Sequence, residues 1–119
     1  SMFEDKIQII TLNGRLTYDL VSDYKAAIKE IIVDAEGYII NLNGVVQIDS
    51  TGMGLLLTTA KHFISNHNKM IIVNNDDLMK ELFEIAKLDL VFEIEDSISK
   101  ALVAVNTADE EYWAKVKTY

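Results

Sequence analysis

Tyr38-Ile39-Ile40-Asn41-Leu42 and Val45-Val46-Gln47-Ile48 run into Asp49-Ser50-Thr51-Gly52-Met53-Gly54, and these into a segment with apolar residues at Met53, Leu56, Leu57, Ala60, Phe63 and Ile64. The first part is short, β-branched and mostly apolar, the pattern of a central strand covered on both faces. Asn43-Gly44 interrupts the run, and Val45 to Ile48 extend it. The second part keeps three- and four-residue spacing, the period of a helix seated on a core. It is expected to begin near Thr51 and to end between Ser65 and Asn68. A buried strand that feeds a helix through a short polar corner is the unit of an α/β sheet.

The alternation extends both ways along the chain. Upstream, Ile7, Ile9, Ile10 and Leu12 form a strand closed by the turn signal Asn13-Gly14. Leu20, Val21, Tyr24, Ala27, Ile28, Ile31 and Ile32 then recur at helical spacing, with Gly37 marking the exit of that helix. Downstream, Met70 to Val73 is a strand, and Asp76 or Asp77 caps a helix whose stripe is Leu78, Met79, Leu82, Ile85 and Ala86. Val91 to Ile94 is the next strand. Asp96 or Ser97 caps a last helix through Ile98, Ala101, Leu102 and Val105, which continues or breaks near Asn106-Thr107 before Tyr112, Trp113 and Val116. Phe83 and Phe92 are assigned to the core by residue type, with partial exposure beside a docking site as the alternative. Tyr112 and Trp113 are expected to pack within the chain rather than at a homodimer contact.

These elements predict an α/β fold with a mixed, mainly parallel sheet of about four to five strands and about four helices. No repeat or linker divides the chain, so residues 2–119 are read as one domain, with a core over about 7–105 and a C-terminal extension over 106–119. Ser1 ahead of Met2 is read as a cleavage remnant.

The 119 residues are half apolar and one quarter charged, an ordinary globular balance. The absence of cysteine excludes disulfides and thiolate metal sites and fits a reducing cytoplasm. No stretch approaches the roughly 20 apolar residues of a membrane span, so no membrane insertion is expected. A net charge of −8 repels nucleic-acid phosphates and anionic lipid. The lysines, Lys25, Lys29, Lys61, Lys69, Lys80 and Lys87 among them, are scattered at helical positions rather than gathered into a basic stripe.

Sites of open α/β sheets lie at the carboxyl ends of strands, where Asp49 to Gly54 falls. The first N–H groups of the helix that starts there have no partner within it, and its dipole adds partial positive charge, so an anion on Ser50 is favoured. Gly52 and Gly54 are expected to keep the approach open. Capping alone explains an Asp, Ser or Thr at such a corner. Two hydroxyls and a carboxylate followed by two glycines exceed what a cap requires, and composition leaves both readings open.

Asp49-Ser50-Thr51-Gly52-Met53-Gly54 resembles the Asp-Ser-Ser/Thr-Gly-Leu-Gly signature of STAS domains, typified by bacterial anti-sigma-factor antagonists. The likeness covers roughly residues 7 to 105. It includes Gly14 after the first long strand, the helix Leu78 to Ala86, and Lys87-Leu88-Asp89-Leu90-Val91-Phe92 leading into the last strand. The resemblance implies a non-enzymatic, cofactor-free binding module in which Ser50 is phosphorylated by an anti-sigma factor that is itself a GHKL-type serine kinase. A PP2C-like, metal-dependent phosphatase would remove the phosphate. The unphosphorylated form binds the kinase and frees a sigma factor. By the same resemblance Asp49, Thr51, Gly52, Met53 and Gly54 surround the phosphosite. Where Gly-Glu-Leu/Ile-Asp is usual this chain has Gly14-Arg15-Leu16-Thr17, so the acidic pair is absent. Arg15 and Thr17 then either change partner choice or, through the guanidinium, meet the phosphate. Single-domain STAS proteins also serve as non-catalytic subunits of lipid-transporting ABC complexes, which is the alternative function.

Other motifs are weaker. Gly52-x-Gly54 lacks the third glycine of a dinucleotide loop, because Leu57 stands there in the core stripe. Asp49-Ser50-Thr51-Gly52 lacks the second copy that an aspartic-protease dyad requires. His62 and His67 are five residues apart, share no helix face and have no carboxylate cluster, so they are expected at the surface and no metal is expected.

Overall fold

The computed structural model describes residues 2–4, 6–106 and 110–118; the expectations for Ser1 and Thr107 lie outside the described residues. Five strands form one sheet in the order β1-β2-β3-β4-β5, comprising β1 (Met2–Glu4), β2 (Ile7–Leu16), β3 (Gly37–Ile48), β4 (Lys69–Val73) and β5 (Glu93–Glu95). β1 pairs antiparallel with β2, and every other pairing is parallel. The helices are α1 (Val21–Ile31), α2 (Ser50–Ser65), α3 (Asp77–Ile85), α4 (Ile98–Val105) and α5 (Glu110–Thr118), so the described residues hold five rather than about four.

Both sheet faces are covered, which is why the central strands read as unbroken apolar runs. On one face Ile10, Leu12, Leu16, Tyr38, Ile40, Leu42, Met70 and Ile72 meet Leu55, Leu56, Ala60 and Phe63 of α2 and Met79 and Phe83 of α3. On the other, Ile7, Ile9, Ile39, Ile71 and Val73 meet Ala101 and Val105 of α4. Tyr38 stacks on Phe63 at 3.7 Å between ring centroids, tying the middle strand to α2.

Several boundaries differ from the sequence reading. Asn13-Gly14 does not end β2: Gly14 takes φ +89 and the register against β3 shifts on either side, so a bulge carries the strand on to Leu16. Gly37 opens β3 instead of closing a helix. A Cβ there would stand 2.7 Å from Val105 Cγ2, so α4 crosses the strand too closely for any side chain. Val91 and Phe92 lie in the turn after a 3-10 segment, Leu88–Leu90, and β5 holds only Glu93–Glu95. In α1 Ala27 is exposed.

The stripe expected for α3 is also corrected. Leu78 and Ile85 are exposed, while Met79 and Phe83 are buried. Two apolar rows one residue apart both satisfy the helical period, and packing of Phe83 edge-on against Phe92 at 6.4 Å selects the second. Asp76 caps α3 and Ser97 caps α4.

Two polar side chains hold the frame through distant partners that pattern reading does not show. Gln8 is fully buried, donating from Nε2 to the Ile31 carbonyl at 2.7 Å and accepting at Oε1 from the Val33 amide at 3.1 Å. It thereby satisfies backbone groups at the end of α1 that burial would otherwise leave costly. The tail packs within the chain as expected. The Tyr112 hydroxyl accepts from the Met70 amide and donates to the Met70 carbonyl, both at 3.0 Å, just before β5 begins to pair with β4 at Ile71. Burial pushes that phenol up to about 12.

Candidate functional site

The corner between β3 and α2 is organised by Asp49, the N-cap of α2. Its Oδ1 accepts from the Gly52 amide and its Oδ2 from the Tyr18 amide, each at 2.9 Å. One carboxylate therefore satisfies a free N–H of the helix start and pins the β2–α1 loop beside it. The Gly52 amide, followed by that of Tyr18, holds the Asp49 carboxyl below its ordinary value, against desolvation and the charge of Asp19.

Ser50 and Thr51 are exposed in the first turn of α2, and Met53 is half-buried against the core. The two glycines have different roles. Gly54 has nothing within 4 Å of where a Cβ would stand, so it does leave the surface open. Gly52 is buried and faces inward, where a Cβ would lie 2.1 Å from the Leu16 carbonyl oxygen. It allows α2 to start directly against the end of β2 and does not shape the outer surface.

Arg15 and Thr17 converge on a residue that sequence reasoning missed. Thr17 Oγ1 donates to Asp19 Oδ1 at 2.6 Å, and Arg15 pairs with Asp19 Oδ2 at 3.4 Å. Thr17 is buried and Arg15 exposed. The Thr17 hydroxyl is the main reason the Asp19 carboxyl sits low. Its charge acts on Asp49, so an acidic group does stand near the corner, supplied two residues later than the expected motif position. The available signal was Asp19 itself, five residues after Gly14.

Both carboxyls are lowered on folding, so the stability they contribute is complete above their ordinary 3.8 and is lost as pH falls through their folded values. Asp49→Asn keeps an acceptor for Gly52 and loses the one for Tyr18. The wild type is expected to melt higher than Asp49→Asn at neutral pH, with the gap closing once the pH drops below about 3.8. Thermal melts across that range check this. A gap unchanged in acid would show that the carboxylate is not the tie.

His62 is exposed in the last turn of α2, and His67 is exposed in the turn after it with φ +61. Among the described residues no three histidine or carboxylate side chains gather as a metal site, and no helix is long and apolar enough to cross a membrane.

Residues 3–101 match the STAS domain family. A putative anti-sigma factor antagonist from Thermotoga maritima has a similar structure, with TM-score 0.81 and 20% identity over 89% of this chain and 92% of that one. The Bacillus cell fate determinant SpoIIAA in its phosphorylated form gives 0.63 and 22%, covering 89% and 96%. The STAS domain of a SulP transporter from Vibrio cholerae gives 0.63 and 20%, covering 87% and 84%. At such identities these likenesses establish a shared fold.

Proposed function

This chain belongs to the STAS domain family, and from that premise we propose that it is an anti-sigma-factor antagonist, a protein-binding module whose docking is switched off by phosphate on Ser50. The observation that carries the reading is an exposed serine in the first turn of α2, on a corner clamped by Asp49. A kinase can reach this hydroxyl without disturbing the core. The γ-phosphoryl group of ATP passes to Ser50 Oγ: the new P–O bond forms as the bond to the β-phosphate breaks, ADP leaves, and the hydroxyl proton goes to a base of the kinase. The product adds about −1.5 to −2 charges next to Asp49 and near Asp19. The helix start tolerates that anion, so the fold persists while the charge of the docking face changes.

The likeness to an anti-sigma factor antagonist, and to a relative solved in phosphorylated form, supports this reading. The partners are an anti-sigma serine kinase of the GHKL type and a PP2C-like phosphatase, in the cytoplasm. The chain is not an enzyme in this scheme. The second reading is a constitutive non-catalytic subunit of a lipid-transporting ABC complex; the likeness to a SulP transporter's STAS domain supports only that this fold also serves within transporters.

Titration calorimetry of Ser50→Ala and Ser50→Asp against the candidate kinase with nucleotide separates the two. Asp49 is the cap, so Ser50→Ala removes only an exposed hydroxyl and is expected to change stability by no more than about 0.5 kcal/mol. It should bind like the wild type and take up no phosphate at this position. Ser50→Asp should keep the fold and bind at least about tenfold more weakly, because like-charge or desolvation costs of about 1.4 kcal/mol suffice for that factor. Equal affinity for all three proteins would sink the switch and leave the transporter-subunit reading.

A further inference from the structure

Leu78 and Ile85 are 67% and 72% exposed on α3, with half-buried Leu82 between them. At about 100° of turn per residue the three fall within an arc of roughly 60°, one apolar stripe along the helix. Met79 and Phe83 anchor α3 to the core from the neighbouring arc, so the fold does not need this stripe. Single exposed apolar side chains need no explanation. A row of leucine and isoleucine running two turns does, because it is the pattern by which one amphipathic helix receives another. The outer border of the stripe is acidic. Asp77, Glu81 and Glu84 form a parallel row about 100° round the helix, on the side away from Met79 and Phe83. Asp77 and Glu84 also line a cleft of about 540 Å³ between α3 and the end of β5, together with Asp89 and Glu95. None of these five carboxylates has an ion-pair partner among the described residues. Six carboxylates and two lysines line the cleft, and one of those lysines, Lys100, is already held by Asp96.

We infer that α3 is the docking face for a basic amphipathic helix of a partner protein. The apolar side of that helix covers Leu78, Leu82 and Ile85, and its lysine or arginine side chains reach Asp77, Glu81 and Glu84 and the cleft behind them. The apolar contact supplies most of the binding, and the unpaired carboxylates set orientation and exclude other occupants. Charge selects this occupant over two others. A second copy of the chain, paired antiparallel about a two-fold axis through the stripe, would set the acidic row of one copy against the same row of the other. Any such pairing also joins two chains of net charge −8. An anionic membrane surface meets the same repulsion. None of residues 49–54 lines the cleft, so the inference stands apart from the reading of Ser50.

The test is titration calorimetry of the full chain with a synthetic leucine and lysine helix of about 15 residues, its leucines spaced to form one stripe. Wild type should bind it one to one. The double variant Leu78→Ser/Ile85→Ser should bind at least about tenfold more weakly, and so should Glu81→Gln/Glu84→Gln. All four side chains are in solvent, so circular dichroism should show the fold kept. Val46→Ser, at an exposed apolar residue of β3 outside the cleft, should bind within about twofold of wild type. A peptide with serine in place of leucine should also bind at least about tenfold more weakly, which separates docking from a general attraction of lysine to an acidic chain. No binding by wild type overturns the docking face. Undiminished binding of the serine peptide or of Leu78→Ser/Ile85→Ser overturns the stripe, and undiminished binding of Glu81→Gln/Glu84→Gln overturns the acidic row. Sedimentation of wild type as a dimer that Leu78→Ser/Ile85→Ser dissociates would assign the face to a second copy. Adsorption to phosphatidylglycerol vesicles that is lost in the same variant would assign it to a membrane. Either result overturns the basic helix as occupant.

Discussion

Leu56→Asp is expected to leave the chain unfolded at ordinary temperature. Leu56 is 1% exposed in the middle of α2, within the larger of the two core clusters. The substitution removes about 1.5–3 kcal/mol of apolar burial. It also places a carboxylate where no cation or donor awaits it, at a further cost of several kcal/mol whether the group stays charged or takes up a proton. Against a net stability of about 5–15 kcal/mol for a domain of this size, the sum removes most or all of the folded population. Far-ultraviolet circular dichroism melts check it, with Lys61→Gln on the exposed side of the same helix expected to stay within about 0.5 kcal/mol of wild type. An unchanged midpoint for Leu56→Asp would mean that α2 does not face the core.

Gly52→Ala and Gly54→Ala, two residues apart on one helix, are expected to act with opposite sign. The new methyl at position 52 meets the Leu16 carbonyl oxygen at 2.1 Å and Ile48 Cγ1 at 3.0 Å. The nearer neighbour is backbone, so relief requires α2 to move away from the end of β2. Such overpacking costs about 3 kcal/mol or more, a fall in midpoint of roughly 10–20 °C. It would also displace Asp49 and Ser50 from the Tyr18 loop, so kinase binding should fall with stability. Position 54 has open space, and alanine there gains about 0.5–1 kcal/mol from helix propensity. Differential scanning calorimetry of the two variants reads both shifts. Equal and small effects would show that the close approach of α2 to β2 is not maintained in solution.

What the sequence determined by itself was whatever depends on near neighbours. The strand Tyr38 to Ile48, a capping corner within Asp49 to Thr51 and the stripe Leu56, Ala60 and Phe63 follow from period, cap chemistry and turn chemistry, which act within one helical turn. That is why the position of Ser50 at the start of α2 was legible. The choice of Asp49 as the cap came from the structure. Arg15 and Thr17 were legible as residues but not in their contacts, because Asp19 lies outside the motif to which they were compared. Tertiary structure alone decided which of two equally periodic rows of α3 is buried, leaving Leu78 and Ile85 in water and Phe83 in the core. It decided that Asn13-Gly14 is a bulge rather than a turn, since only pairing with β3 tells a strand to continue. It also decided the partners of Gln8, Tyr18 and Tyr112, whose hydrogen bonds join residues 23 to 42 positions apart. The physical reason is the same in each case: a side chain's orientation and its distant hydrogen-bond partner are fixed only once the sheet has closed and buried polar groups must be paired.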